Sequence, residues 1–145
     1  MIREIRPDEL NDLLALYAQL HSGREGTSPE HIQAAWKKII ANPDQHVIVA
    51  ETEGQLVASC VITVVPNLTH GARPYAVIEN VITDAQHRRQ GWATQCLDCA
   101  KQIAQREDCY KIMLMTGSKE EGTLRFYEQA GYNRTDKTAF ILWLR

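Results

Sequence analysis

The sequence predicts one mixed α/β domain spanning residues 1–145, a mixed sheet with helices packed on its faces. Three observations predict it. Two β-rich runs flank Thr52-Glu53-Gly54, which is a hairpin signal. A third β-rich run, Tyr75 to Thr83, passes through a short polar loop into a segment with apolar residues at helical spacing. A chain of 145 residues buries one core and leaves little room for a second.

The elements follow in order. Met1 to Arg6 alternates apolar and charged residues, as a short strand does, and Leu10, Leu13, Leu14, Tyr17 and Leu20 then line one face of a helix. Ser28-Pro29-Glu30 places an N-cap residue before a proline at the first helical position, predicting a second helix to about Ile40. Asn42-Pro43-Asp44 ends it. The hairpin strands are His46 to Ala50 and Gln55 to Val65, followed by a polar loop from Pro66 to Pro74 and the strand Tyr75 to Thr83.

After Asp84 to Gln90, a helix from about Gly91 to Glu107 carries Ala93, Cys96, Leu97, Ala100, Ile103 and Ala104 inward. Tyr110 to Met115 reads as a buried strand, so one βαβ crossover joins the strands at Ile78 and Leu114. A helix from Lys119 to Gln129 with Gly131 as its C-cap, and a final strand from Lys137 to Leu144, complete the order.

Composition excludes several classes. Sixteen Lys and Arg against eighteen Asp and Glu give a net charge of -2 with no basic run, which argues against a nucleic-acid partner. The start carries acid at once, and no stretch approaches the roughly 18 apolar residues of a membrane span, so a cytoplasmic protein is expected. Among the four cysteines only Cys96 and Cys99 are close, one helical turn apart, which suits reduced core packing better than zinc. The five histidines show no metal spacing, and no metal is expected.

The chemistry starts where the strand ending at Thr83 meets the helix near Gly91. A helix N-terminus presents unpaired backbone N–H groups and the positive end of its dipole, and a small residue there lets a pyrophosphate approach. Gly91 and Ala93 keep that approach open, Arg88 and Arg89 add positive charge, and Thr94 adds a hydroxyl. The glycine triplet of dinucleotide folds and the Gly-Lys-Ser/Thr of P-loops are both missing.

The run Ile78-Glu79-Asn80-Val81-Ile82-Thr83-Asp84-Ala85-Gln86-His87-Arg88-Arg89-Gln90-Gly91-Trp92-Ala93 resembles the acyl-CoA signature of the GNAT superfamily of N-acetyltransferases. Phe126-Tyr127-Glu128-Gln129-Ala130-Gly131-Tyr132 resembles that family's second signature, at the right separation. The resemblance implies a mostly antiparallel central sheet flanked by helices, and acetyl-CoA as cosubstrate. It assigns the pyrophosphate to Arg88, Arg89, Gln90, Gly91, Trp92, Ala93 and Thr94, with Trp92 at a variable position. It sets pantetheine against exposed backbone at Val81, Ile82 and Thr83, beside a β-bulge near Glu79 to Val81.

The same resemblance makes Tyr127 the acid that protonates the departing thiolate and Glu79 the base that takes the amine proton. Glu79 also stands out within an apolar strand, where a carboxylate is costly unless paired. Where the family often has asparagine, about seven residues before the tyrosine, this chain has Glu120, which accepts but does not donate when ionised; Ser118 or Lys119 is the substitute donor.

A small-molecule primary amine is the expected acceptor, acidic or phosphorylated if Arg73, Tyr75, Asn80 and Arg24 contact it. Direct attack in a ternary complex is expected, since no cysteine lies in either signature. The alternatives are a non-catalytic acyl-CoA sensor and an acetyltransferase acting on a protein amine. A homodimer through Phe140, Leu142 and Leu144 is expected, although these residues suit a core equally well.

Overall fold

The computed structural model describes residues 1–20 and 26–144. They divide into two compact units, Met1–Leu114 and Met115 onward. The first holds a five-stranded sheet in the order β1-β2-β3-β4-β5, made of β1 (Ile2–Glu4), β2 (Gln45–Thr52), β3 (Gln55–Val65), β4 (Tyr75–Thr83) and β5 (Ile112–Leu114). Neighbouring strands from β1 to β4 are antiparallel, and β4 pairs with β5 in parallel with Ile78 opposite Leu114. That pair is the one the sequence selects for its crossover.

Alternation along β2 and β3 separates two cores. On one face Val47, Val49 and Val61 pack with Leu10 and Leu13 of α1 (Leu10–Tyr17) and Trp36 of α2 (Pro29–Ala41). The Ser28 hydroxyl caps α2 by accepting from His31 N, and the buried Trp36 indole donates to Pro7 O at 2.9 Å. On the other face, α4 (Trp92–Arg106) buries Cys96, Leu97, Ala100, Ile103 and Ala104 against β2 and β3. Cys60 and Cys96 meet there as free thiols, with the Cys60 Sγ 3.6 Å from Cys96 O. Burial pushes the Cys96 thiol up to about 12 and Cys60 further, so both are inert packing groups.

Around these elements, the loop after β3 contains a tight turn, α3 (Thr69–Ala72), in which His70 and Gly71 are left-handed. At the other end of the unit Arg3 makes a two-pronged ion pair with the buried Glu9, at 2.9 and 2.7 Å, and reaches Glu51 as well.

The second unit contains α5 (Glu121–Gln129), followed by Gly131 at φ 105, the left-handed residue expected after a helix end. The expected final strand is not formed: residues 137–144 have no ladder partner among the described residues, and Phe140, Leu142 and Leu144 are 90, 83 and 90% exposed. β-Forming residues alone do not make a strand, because the ladder bonds and cross-strand packing that stabilise one come from a neighbour.

Candidate active site

The site is built on the second half of β4. Pairing with β3 is regular from Tyr75 to Glu79, then shifts: Val61 lies opposite Glu79 and Ser59 opposite Ile82, so Cys60 alone faces Asn80 and Val81. This is the expected β-bulge. Asn80 is left-handed at φ 56, a conformation asparagine tolerates better than most residues. On the other edge, the ladder with β5 covers Ala76 to Ile78 and stops. From Glu79 to Thr83 one edge of β4 therefore has no strand partner among the described residues, leaving backbone N–H and C=O groups for a ligand.

Glu79 projects from the bulge. Its side chain is exposed and has no ion-pair partner among the described residues, so the desolvation cost expected from the apolar sequence around it does not arise. The bulge is the reason, since it carries this stretch out of the packed ladder.

The loop after β4 is held by its first residue. Asp84 Oδ2 accepts from Gln86 N at 3.1 Å and pairs with His87 Nδ1 at 2.7 Å, while Oδ1 accepts from Gln19 Nε2 at 2.8 Å. The Gln19 hydrogen bond, then His87, lowers the Asp84 carboxyl below its ordinary value. Arg89 and Gly91 are left-handed at φ 63 and 85, which turns the chain into α4. Gly91 occupies the N-cap without capping the helix, and none of the backbone N–H groups from Arg88 to Thr94 meets a backbone acceptor among the described residues. Arg88 and Arg89 are exposed beside them. Open amides, a helix dipole and two cations together fit a pyrophosphate, and the free β4 edge fits an amide-bearing chain such as pantetheine.

Two residues here carried no sequence signal strong enough to select them. Tyr17, read as part of an apolar helix face, directs its hydroxyl to Asn80 and Ser59, and burial raises its pKa. Gln19 reaches the loop of Asp84 from beyond the end of α1; Asp84 itself, placed to cap the turn Ala85–His87, was the available clue.

Other expected acceptor residues lie elsewhere. Tyr75 starts β4, roughly 16 Å along the strand from Asn80 at the usual rise per residue. The Arg73 guanidinium donates to the carbonyls of Asp108 and Cys109 and pairs with Asp108, tying two loops together at that end of the sheet. Arg24 lies outside the described residues.

In the second unit, Tyr127 is on α5, edge-on to Phe126 with ring centroids 5.0 Å apart and to Tyr132 at 6.3 Å. The Ser118 hydroxyl accepts from Glu120 N and donates to Thr123 Oγ1, both at 3.2 Å, so it caps the start of α5 where Glu120 contributes no side-chain bond.

The sequence pattern of the acetyltransferase (GNAT) family matches residues 10–132, which includes the bulge, the cradle and Tyr127. The chain belongs to the GNAT family. As such it is an N-acetyltransferase with acetyl-CoA as its cosubstrate. It is 26% identical over 136 residues to an aminoglycoside N(6')-acetyltransferase type 1 of Serratia marcescens, covering 92% of this chain and 91% of that one. It is 24% identical over 136 residues to the glucosamine 6-phosphate N-acetyltransferase of Trypanosoma brucei brucei, covering 94 and 90%. Among solved structures, a chain from Agrobacterium tumefaciens assigned as an acetyltransferase superposes with a TM-score of 0.92 at 34% identity, covering 99% of both chains. Among the described residues of this GNAT chain, no helix is long and apolar enough to cross a membrane, and no group of three or more His, Cys, Asp or Glu is placed to hold a metal ion.

Proposed function

We propose that this acetyltransferase moves the acetyl group of acetyl-CoA to a primary amine of a small molecule by direct attack in a ternary complex. The observation that carries this reading is the bulged, half-unpaired stretch Glu79 to Thr83 running into the uncapped start of α4. One edge supplies hydrogen bonds along an extended cofactor arm, and the helix start supplies them to phosphates.

In the proposed reaction the amine nitrogen attacks the thioester carbonyl carbon while a backbone N–H at Val81 or Ile82 hydrogen-bonds the carbonyl oxygen. The Glu79 carboxylate takes the amine proton through water, for which its exposure suits it. The carbon–sulfur bond breaks, and Tyr127 gives its phenolic proton to the leaving thiolate. Two relatives named for aminoglycoside and glucosamine 6-phosphate acetylation support an amino sugar as acceptor. Of the residues expected to bind it, Asn80 is the one beside Glu79 on the chain. An anionic acceptor would recruit Arg73 only if that side chain left Asp108.

The whole chain acts as one acetyltransferase domain in this reading. Free, buried thiols fit a reducing cytoplasm. Five consecutive exposed apolar residues, Phe140 to Leu144, fit pairing with a second copy, so light scattering should give a dimer mass and a monomer mass would refute that part.

The roles of Glu79 and Tyr127 are tested by Glu79→Gln and Tyr127→Phe, assayed across pH with saturating acetyl-CoA. Each should lower kcat by about a hundredfold, at the lower end of the usual general acid–base contribution. Unchanged turnover in both would remove the assignment.

A further inference from the structure

We propose that Tyr17 is a positioning residue for acetyl transfer, anchoring the Asn80 side chain and through it the left-handed backbone that opens the β4 bulge beside Glu79. This rests on the acetyltransferase reading given above.

The direction of each hydrogen bond follows from donor supply. Ser59 is fully buried and its hydroxyl donates to Ile48 O at 2.7 Å, which uses its single proton. Toward Tyr17, Ser59 Oγ is therefore an acceptor, and the Tyr17 hydroxyl donates to it. With its own proton spent, the Tyr17 oxygen accepts, and the partner on its other side is the Asn80 amide. A chain results, from Asn80 Nδ2–H to Tyr17 Oη–H to Ser59 Oγ–H to Ile48 O. It links an exposed residue of the bulge to the carbonyl of a strand two places away in the sheet.

The chain has two consequences for the reaction. Asn80 sits at φ 56, which costs a non-glycine residue on the order of 1 kcal/mol and persists only when its surroundings hold it. Tyr17 is the side chain that holds it. Committing Nδ2 to Tyr17 also leaves Asn80 Oδ1 as the free end of the amide, an acceptor suited to an incoming amine N–H. An acceptor presenting only hydroxyls or carboxylates gains less from that oxygen, so the pair contributes to selection of an amine.

Tyr17→Phe keeps the ring that packs in the core and removes only the hydroxyl. Steady-state kinetics with acetyl-CoA and an amino sugar should show kcat reduced about tenfold, with acetyl-CoA affinity changed less than twofold. Glycine adopts the left-handed backbone without an anchor, so Asn80→Gly should make the Tyr17 hydroxyl irrelevant: the double variant should match Asn80→Gly alone. Hydrogen exchange at the Asn80 and Val81 amides should quicken about tenfold in Tyr17→Phe, while core amides of β3 keep their protection. Multiplying kinetic effects in the double variant, or Tyr17→Phe kinetics within twofold of wild type, would overturn the proposal. So would unchanged exchange at both amides. If wild-type protein fails to bind acetyl-CoA, the acetyltransferase reading falls separately; quickened exchange would then uphold the anchor, and unchanged exchange would remove it too.

Discussion

Gln19 holds Asp84 and its neighbour with both ends of one amide: Nε2 donates to Asp84 Oδ1 at 2.8 Å, and Oε1 accepts from Ala85 N at 2.9 Å. The end of α1 thus steadies the loop that leads to the phosphate cradle. Gln19→Ala removes two hydrogen bonds at the surface, and should lower stability by about 1 kcal/mol. Acetyl-CoA affinity should fall roughly threefold to tenfold, because the loop must then be ordered on binding. Titration calorimetry beside urea unfolding checks both effects.

At the cradle itself, Gly91 is left-handed at φ 85, and an added Cβ would meet nothing within 4 Å. Any cost of Gly91→Ala is then conformational, about 1 kcal/mol, with no clash to add. Gly91→Asn should cost less, since asparagine visits that region more readily. Thermal unfolding without ligand should rank the three proteins glycine, asparagine, alanine in falling stability.

Arg88 and Arg89 are exposed, so they act through screened charge. Replacing both with alanine should weaken acetyl-CoA binding about tenfold at low salt and make affinity less sensitive to ionic strength. Calorimetry at two salt concentrations reads the change in slope.

Acid sensitivity has a definite source. The Arg3 guanidinium, with help from Arg6 N–H, lowers the Glu9 carboxyl to about 2 despite opposing burial. A folded pKa below the unfolded value means the stabilisation is complete above the ordinary carboxylate range and is lost as pH falls through the folded value. The loss should run from roughly pH 4.3, the ordinary glutamate value, down to about pH 2. Glu9→Gln should lose on the order of 2 kcal/mol at pH 7 and flatten that acid limb. Urea unfolding at pH 7, 4 and 2.5 measures both. An equal deficit at all three values would contradict the linkage.

Much of this architecture is legible in the residues. Alternation and turn chemistry locate β2, β3 and β4, and Tyr75–Thr83 ends where the sequence says it ends. Helical spacing in α4 selects the residues that are buried. The bulge near Glu79 came through the family resemblance, since no spacing rule reports a register shift of one residue. Less legible are contacts between distant segments, such as Tyr17 with Asn80 or Gln19 with Asp84, because local pattern carries no record of which polar groups meet. Lys137 to Leu144 shows the converse: strong β-forming residues left without a partner stay exposed and unpaired.

Acetyl transfer to an amine is tested most directly by thiol release from acetyl-CoA, measured with the wild-type chain against a panel of amino sugars, their phosphates and simple primary amines. The predicted result is release that depends on both enzyme and amine, and is greatest with an amino sugar. Binding of acetyl-CoA with no amine-dependent release across the panel would contradict it.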